Sequence, residues 1–387
     1  MSAAKPGYMR NFFTPADAFY EVTRSKPYLL SREDQAKVGL SRETWQLEIL
    51  PDRPPWQPTL QKTCSKADGT AVTIKDLEEL LHARPIRCIK TLQCLLDHPE
   101  SGFCSNGFWE GVALRDVLAR LGRLTCVRRI FYNGYYKNEK ECFVSSLSLS
   151  EVLETPPGHV PVFLAFRLNG APLPIERGGP VRMLVPEAYG FKSIKWLSQI
   201  VLTNDFRPND SYAVEFPKAT YCPDPQSPMK TLARLDVHAN LKFKTGDPIT
   251  MYGIATVGAS GLKRVEYWLR EDKGTHGKLD PDDPAWATAE WKPVALAGQP
   301  PNNWTAGLAS EKLPNNVLFV DHESQTPNLW PLPFSWVQWS VKLGKMAPGS
   351  YEFRARAVDL NGFAQPEPRP NPQSGIAEVH CQTFVVT

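Results

Sequence analysis

Pro172-Leu-Pro-Ile-Glu-Arg-Gly-Gly-Pro-Val-Arg-Met-Leu-Val-Pro-Glu-Ala-Tyr-Gly-Phe-Lys-Ser-Ile-Lys-Trp-Leu197 is the stretch around which the chain can be organised. Within it, Glu176-Arg-Gly-Gly-Pro-Val-Arg182 sets two glycines before a proline, which leaves backbone with little side-chain cover. Arg182 falls one residue into a strand beside that backbone. A flat anionic ligand suits such a place, held by backbone N–H groups and a forked guanidinium. An ordinary hairpin turn with a surface arginine suits it equally. Lys192, Ser193 and Lys195 then cluster just after Gly190, where a turn, two ammonium groups and a hydroxyl offer donors to a phosphate. The P-loop pattern GxxxxGK[ST] is absent. The competing reading is a solvated lysine pair beside a core tryptophan, Trp196.

Working outward, Pro161–Leu168 reads as a strong strand closed by a tight turn at Asn169-Gly170. Arg128–Tyr132, Val181–Val185 and Ser193–Leu202 read as further strands or short elements, and Trp45–Leu50 alternates like an edge or surface strand. Thr73–Leu81 is a helix with Thr73 as N-cap and Asp76 completing an acidic variant of the capping box. Gly111–Leu121 reads as a second amphipathic helix, Leu149–Leu153 as a short one stopped by Pro156 and Pro157, and 95–108 as a polar loop.

From about residue 236 the pattern changes. Ile249–Val257, Leu262–Leu269, Trp336–Lys342 and Gly349–Val358 read as strands between turn signals, and no convincing helix intervenes. That pattern describes a β-sandwich. Seven of the eleven tryptophans lie in this half, inside the sandwich or at an interface. The expected architecture is α+β over residues 1–235 followed by a β-sandwich over 236–387. Two domains also suit 387 residues, because single cores stop growing beyond about 250–300.

Hydrophobic residues make up 42% of the chain and charged residues 22%, which suits a folded protein and excludes a disordered one. The net charge is +3, with Lys and Arg scattered, so no nucleic-acid partner is expected. No apolar stretch is long enough to cross a bilayer, and the opening Met1–Phe13 lacks the pattern of a signal peptide. A cytoplasmic protein is expected if this is the full chain, and a periplasmic one if a leader has been removed.

None of the eight cysteines forms CxxC or CxxCH, which argues against zinc ribbons, iron–sulfur sites and c-type haem. Cys94 ends a strand, Arg87–Cys94, and opens the polar loop. It could present a thiolate to a metal above the sheet edge, or it could be a plain buried thiol.

Together these segments resemble the molybdopterin-binding core of the sulfite oxidase family. The resemblance rests on Pro172–Leu197, Thr91-Leu-Gln-Cys94, Met9-Arg-Asn11 and Leu164-Ala-Phe-Arg-Leu-Asn-Gly170. It implies molybdenum and molybdopterin as cofactors, with Cys94 as the one protein ligand to the metal. It further implies that Arg10 and Tyr221 face the substrate, and that Asn11, Phe12, Arg177, Arg182, Lys192, Ser193 and Lys195 bind the cofactor. The second half resembles the family's immunoglobulin-like dimerisation domain through Gly253-Ile-Ala, Arg264-Val-Glu266 and Arg354–Pro366, which implies a homodimer. With no haem, flavin or iron–sulfur motif, the resemblance implies an external electron carrier such as a cytochrome.

The departures concern substrate. Where the family's sulfite oxidisers carry two arginines after the cysteine, this chain has Leu95-Leu-Asp-His-Pro-Glu100. Arg177 and Phe12 stand where the family has histidines. Inward-facing acids would repel a sulfite dianion. The expected activity is oxidation of sulfite or a related sulfur oxyanion by oxygen-atom transfer. The alternatives are reduction of sulfoxides or another small organic substrate, and a homologue that binds cofactor with little turnover. A β-sandwich adhesion protein with an unrelated N-terminal domain is a further class.

Overall fold

A computed structural model describes residues 9, 11–98, 101–211, 228–236, 240–272, 279–280, 283–298, 304–365 and 378–387. Two larger sheets, a two-stranded ladder of Thr59–Leu60 with Leu124–Thr125, and short helices make the first half. One sheet runs Val72–Thr73, Gln46–Pro51, Leu197–Thr203, Arg129–Gly134, Val144–Ser148, with a single parallel pair between Gln46–Pro51 and Leu197–Thr203. The other runs Ala171–Pro172, Phe163–Leu168, Cys104–Ala113, Pro85–Gln93, and Arg182–Leu184 also pairs with Phe163–Leu168. A shared apolar core holds Trp45, Leu77, Val117, Leu164 and Ile200. This is the α+β arrangement expected.

Helix Ile74–Ala83 carries the capping box as read: Thr73 Oγ1 accepts from the Asp76 N–H, and the Asp76 carboxylate accepts from the Thr73 N–H. Leu149–Leu153 is likewise capped by Ser148 and Glu151. At the Asn169-Gly170 turn both residues adopt positive φ, 52° and 82°, the conformation that a two-residue hairpin of this hand requires.

Three local expectations fail, two of them through one strand. The end of the segment expected as a loop, 104–108, is instead the start of strand Cys104–Ala113, buried along its whole length. A strand buried on both faces loses its alternation, and its polar residues are there to be paired: Asn106 Nδ2 donates to the Phe12 carbonyl and its Oδ1 accepts from Thr91 Oγ1. Its Gly111 permits close approach, since a Cβ there would sit 1.9 Å from the Leu164 carbonyl oxygen. The strand also consumes 111–113, so the expected helix Gly111–Leu121 shrinks to Leu114–Leu118 with a 3-10 turn Ala119–Leu121. Gln46–Pro51 lies inside its sheet rather than at an edge.

The second half contains two sheets. One runs Leu232–Leu235, Ile249–Thr256, Trp336–Gly344; the other runs Leu241–Phe243, His380–Val386, Gly349–Val358, Arg264–Asp272, Lys292–Val294. Ala233, Met251, Val337, Phe353 and Phe384 fill the layer between them. Strand Leu232–Leu235, just before the boundary expected at 235/236, pairs with Ile249–Thr256. Trp304, Trp336 and Trp339 are buried within the chain, so these tryptophans carry no argument for an interface.

The halves interlock. Met9, Phe12 and Phe108 share a core with Ile254, Trp304 and Trp336. The Thr91 N–H donates to the Phe334 carbonyl, and Leu318 N–H to the Arg87 carbonyl. Among the described residues, no helix is long and apolar enough to cross a membrane.

Candidate active site

Strand Pro85–Gln93 delivers Cys94 to the wall of a cavity of about 290 Å³. Leu92 and Cys94 share one strand face by the two-residue period and both line it. Cys94 is 7% exposed, and its N–H donates to the Phe103 carbonyl. The same cavity is lined by Arg177, Arg182, Ser193 and Lys195 from the Pro172–Leu197 stretch. Phe19, Tyr20, Tyr135, Phe143, Phe191 and Trp196 supply aromatic walls.

The cations are partly spent on the protein and partly held open. Arg182 donates through Nη1 and Nη2 to the carbonyls of Arg177 and Ser193 (2.8 and 2.6 Å), and its guanidinium lies 5.5 Å from the Trp109 ring centre. Arg177 donates to the carbonyls of Ala16 and Asp17. Among the described residues, Arg182 Nε, Arg177 Nη1 and Lys195 Nζ are buried polar atoms without a hydrogen-bond partner. Burial, with Arg182 nearby, pushes the Lys195 ammonium down to about 7, and burial lowers Arg182 to about 10. A pocket lined by three cationic groups, each with a buried nitrogen that lacks a hydrogen-bond partner, is electrostatically incomplete. It suits a polyanionic ligand, which would restore charge to Lys195. These residues therefore fit a phosphate-bearing pterin on one side, with a thiolate donor available on the other.

Gly178 and Gly179 do not serve as a bare backbone cradle. Their N–H groups donate within their own turn, to the carbonyls of Ile175 and Pro174. A Cβ on Gly178 would meet Lys195 carbons at 2.8 Å, and one on Gly179 the Leu173 carbonyl oxygen at 2.0 Å. Their smallness lets the Ile175–Arg177 turn pack onto Lys195.

Of the residues singled out in the sequence, Cys94, Arg177, Arg182, Ser193 and Lys195 meet at the cavity. Lys192 does not. Its Nζ lies 2.9 Å from Asp210 Oδ1 and donates to the Ser146 carbonyl at 2.6 Å, in a pair buried on both sides. Asn11 is exposed, and Phe12 packs against Phe13, Trp304 and Trp330; neither lines the cavity. Arg10 and Tyr221 lie outside the described residues, as does Glu100. Asp97 does not line the cavity and is ion-paired with Arg234. Tyr20 and Arg24 were not foreseen; the only sequence signal for them was a cluster of aromatic and basic residues in an otherwise polar N-terminal segment. Tyr20 shapes the wall directly, because a Cβ on Gly190 would sit 2.6 Å from its hydroxyl.

Residues 52–211 match the family described as oxidoreductase molybdopterin binding domain. The chain is 31% identical to the mitochondrial sulfite oxidase of Macaca fascicularis over 116 residues, 29% of this chain and 20% of that protein. It is 32% identical to the NADPH nitrate reductase of Fusarium oxysporum over 108 residues, 28% of this chain and 11% of that protein. A longer alignment, at 23% identity, joins 92% of this chain to 56% of the mitochondrial sulfite oxidase of Drosophila melanogaster. The chain thus spans little more than half of these curated relatives at most. The fold resembles that of the sulfane dehydrogenase SoxCD from Paracoccus pantotrophus, with a TM-score of 0.59 at 17% identity over 97% of this chain and 86% of that one. Residues 52–211 are a molybdopterin-binding oxidoreductase domain, related to those of sulfite oxidases and nitrate reductases.

Proposed function

We propose that the chain is an active molybdenum-cofactor oxidoreductase that oxidises sulfite or a related sulfur oxyanion. The observation that carries this reading is the meeting of Cys94 with Arg177, Arg182 and Lys195 around one cavity. Cys94 would be the protein ligand to molybdenum, and Lys195, Arg182, Arg177 and Ser193 would hold the pterin and its phosphate. Bound there, molybdenum and molybdopterin supply two-electron oxygen-atom transfer to sulfur. The overall balance is sulfite and water to sulfate, two protons and two electrons, and the electrons leave to an external carrier such as a cytochrome.

The chain's own groups bind and orient. Lys195 takes up a proton when an anion arrives, since its ammonium is favoured once paired. The aromatic walls exclude water and strengthen each charge contact. Arg10 and Tyr221 are assigned to the substrate by the resemblance of their surroundings to the family. Asp97 is no obstacle to an oxyanion, because Arg234 neutralises it. The runner-up reading, reduction of a neutral sulfoxide, draws on the aromatic wall of Phe19, Phe143 and Phe191, which would accept an organic substituent.

We read the two C-terminal sheets as an immunoglobulin-like domain that pairs two copies of the chain; Tyr252, 58% exposed on strand Ile249–Thr256, is available to such a contact. The function is tested by molybdenum and pterin analysis of purified protein, followed by assay with sulfite and with a sulfoxide using artificial electron carriers. Bound molybdenum with sulfite turnover is expected. Bound molybdenum with sulfoxide turnover alone would transfer the conclusion to the runner-up.

A further inference from the structure

The turn that follows Cys94 is held from outside its own domain. Its two ends are tied by the Cys94 N–H, which donates to the Phe103 carbonyl at 2.9 Å. Inside the turn, Asp97 is 2% exposed, and its Oδ1 accepts from Ser101 Oγ and from the Phe103 N–H, each at 2.8 Å. The remaining carboxylate oxygen, Oδ2, forms an ion pair with Arg234, which is itself 1% exposed. The same Arg234 Nη2 donates to the Asp97 main-chain carbonyl at 3.0 Å. Arg234 therefore grips both the side chain and the backbone of Asp97.

Arg234 sits on strand Leu232–Leu235, paired with Ile249–Thr256 in the C-terminal sheet. Packing joins the same two regions: Leu95 of the turn shares a small core with Tyr189, Phe191, Met229 and Phe334. Phe191 and Cys94 both line the cavity. A buried ion pair gives little net stability over apolar packing of the same volume, because desolvating two charges offsets their attraction. Its distinctive contribution is geometry. A buried guanidinium nitrogen that contacts both the carboxylate and the main-chain carbonyl of one residue fixes the orientation of that residue's peptide, and Asp97 lies three residues beyond Cys94.

We propose that Arg234 is a positioning residue: acting through Asp97, it fixes the turn that presents the Cys94 thiolate to the cavity. The C-terminal sheet is then part of the rigid support of the metal site. The proposal rests on the reading of Cys94 as the molybdenum ligand. Asp97, which from sequence looked like a charge opposed to an oxyanion, is instead one of the connections between the two halves.

The test uses Arg234→Met, Arg234→Lys and Asp97→Asn, with Arg270→Met as a control on the other C-terminal sheet, where Arg270 pairs with Glu352. Two readouts are taken. In cofactor-loaded protein the Mo(V) electron paramagnetic resonance spectrum reports the ligand geometry. In cofactor-free protein, alkylation of Cys94 by iodoacetamide, followed by peptide mass spectrometry with Cys88 as internal reference, reports how firmly the thiol is held. Arg234→Met and Asp97→Asn should each shift the spectrum, change the alkylation rate of Cys94 relative to Cys88, and lower turnover per molybdenum by about 10- to 100-fold. Arg234→Lys, which keeps the charge on a shorter side chain, should fall between them and wild type. Arg270→Met should lower the melting temperature and alter neither readout. If Arg234→Met fails to fold, Asp97→Asn and Arg234→Lys carry the test. A wild-type spectrum and wild-type Cys94 alkylation in folded variants would overturn the proposal. An unaltered spectrum in Cys94→Ser would instead overturn the ligand assignment beneath it, while the alkylation data would still report whether Arg234 holds the turn.

Discussion

Lys192 and Lys195, three residues apart, are put to opposite uses. Lys192 Nζ lies 2.9 Å from Asp210 Oδ1 in a buried ion pair, whereas Lys195 Nζ is at the cavity wall with no hydrogen-bond partner among the described residues. Lys192 ends the 3-10 turn Gly190–Lys192, and Lys195 follows beyond it. One lysine is paired inside the protein, and the other is the one we propose meets the pterin phosphate.

Removing each should therefore have a different signature. Lys195→Met should lower cofactor occupancy in purified protein while leaving the cofactor-free fold as stable as wild type or more so. Lys192→Met strands the Asp210 carboxylate in the interior and should destabilise the protein by roughly 3–5 kcal/mol in denaturant unfolding. Equal losses of stability in the two variants would contradict this division.

The same lysine predicts a pH dependence. Burial holds Lys195 at about 7 against an ordinary 10.5, and it holds Lys90, whose amine is enclosed by the Pro186 and Ala188 carbonyls, at about 7 as well. Between those values the unfolded chain binds more protons than the folded one, so these groups make stability rise with pH across the window. Melting temperatures of cofactor-free protein should climb accordingly, and Lys195→Met should flatten the slope while leaving the share from Lys90. Binding an anion at Lys195 should be accompanied by proton uptake, measurable as a buffer-dependent heat.

Gly190 and Tyr20 form a pair that reciprocal substitution can test. A methyl at Gly190 would lie 2.6 Å from the Tyr20 hydroxyl, so Gly190→Ala should cost about 1–3 kcal/mol as overpacking and reduce cofactor loading. Adding Tyr20→Phe removes the clashing atom and should restore most of both. A double variant no better than Gly190→Ala would show that the contact is not what constrains this wall.

Much of this site was legible in sequence because it is local. Arg177, Arg182, Ser193 and Lys195 fall within one turn-rich stretch whose glycines and basic residues invite a ligand, and Cys94 was marked by its position at a strand end. What could not be read was direction. Lys192 and Lys195 look alike until the buried Asp210, eighteen residues further on, claims the first. From sequence Asp97 could face the pocket or the solvent, because its partner, Arg234, lies far along the chain. The start of strand Cys104–Ala113 was read as loop because burial on both faces erases alternation, and its Ser105, Asn106 and Gly107 resemble turn residues until their buried partners are known. Tyr20 was missed because the aromatics scattered through the polar N-terminal segment show no periodicity.

The substrate reading separates through charge. If sulfite is the substrate, Arg10→Ala should cause a large loss in kcat/KM, and Asp97→Asn should bring no gain, because Asp97 is already neutralised by Arg234. Strong turnover of a neutral sulfoxide that survives the loss of Arg10 would favour the reductase reading.

The oligomeric reading is checked by light scattering at micromolar concentration. The mass of two chains is expected, and a charged substitution at the exposed Tyr252 should shift it toward one. A single-chain mass for wild type would remove the dimer from the account.

The central claim is that Cys94 supplies the protein's bond to molybdenum in this cavity. Molybdenum K-edge X-ray absorption on wild type and on Cys94→Ser, each normalised to metal content, tests it directly. The account predicts bound molybdenum whose sulfur coordination falls by one ligand in Cys94→Ser while the pterin sulfurs remain. Identical sulfur coordination in the two proteins, or wild-type protein that takes up no molybdenum when produced in a cofactor-competent host, would contradict it.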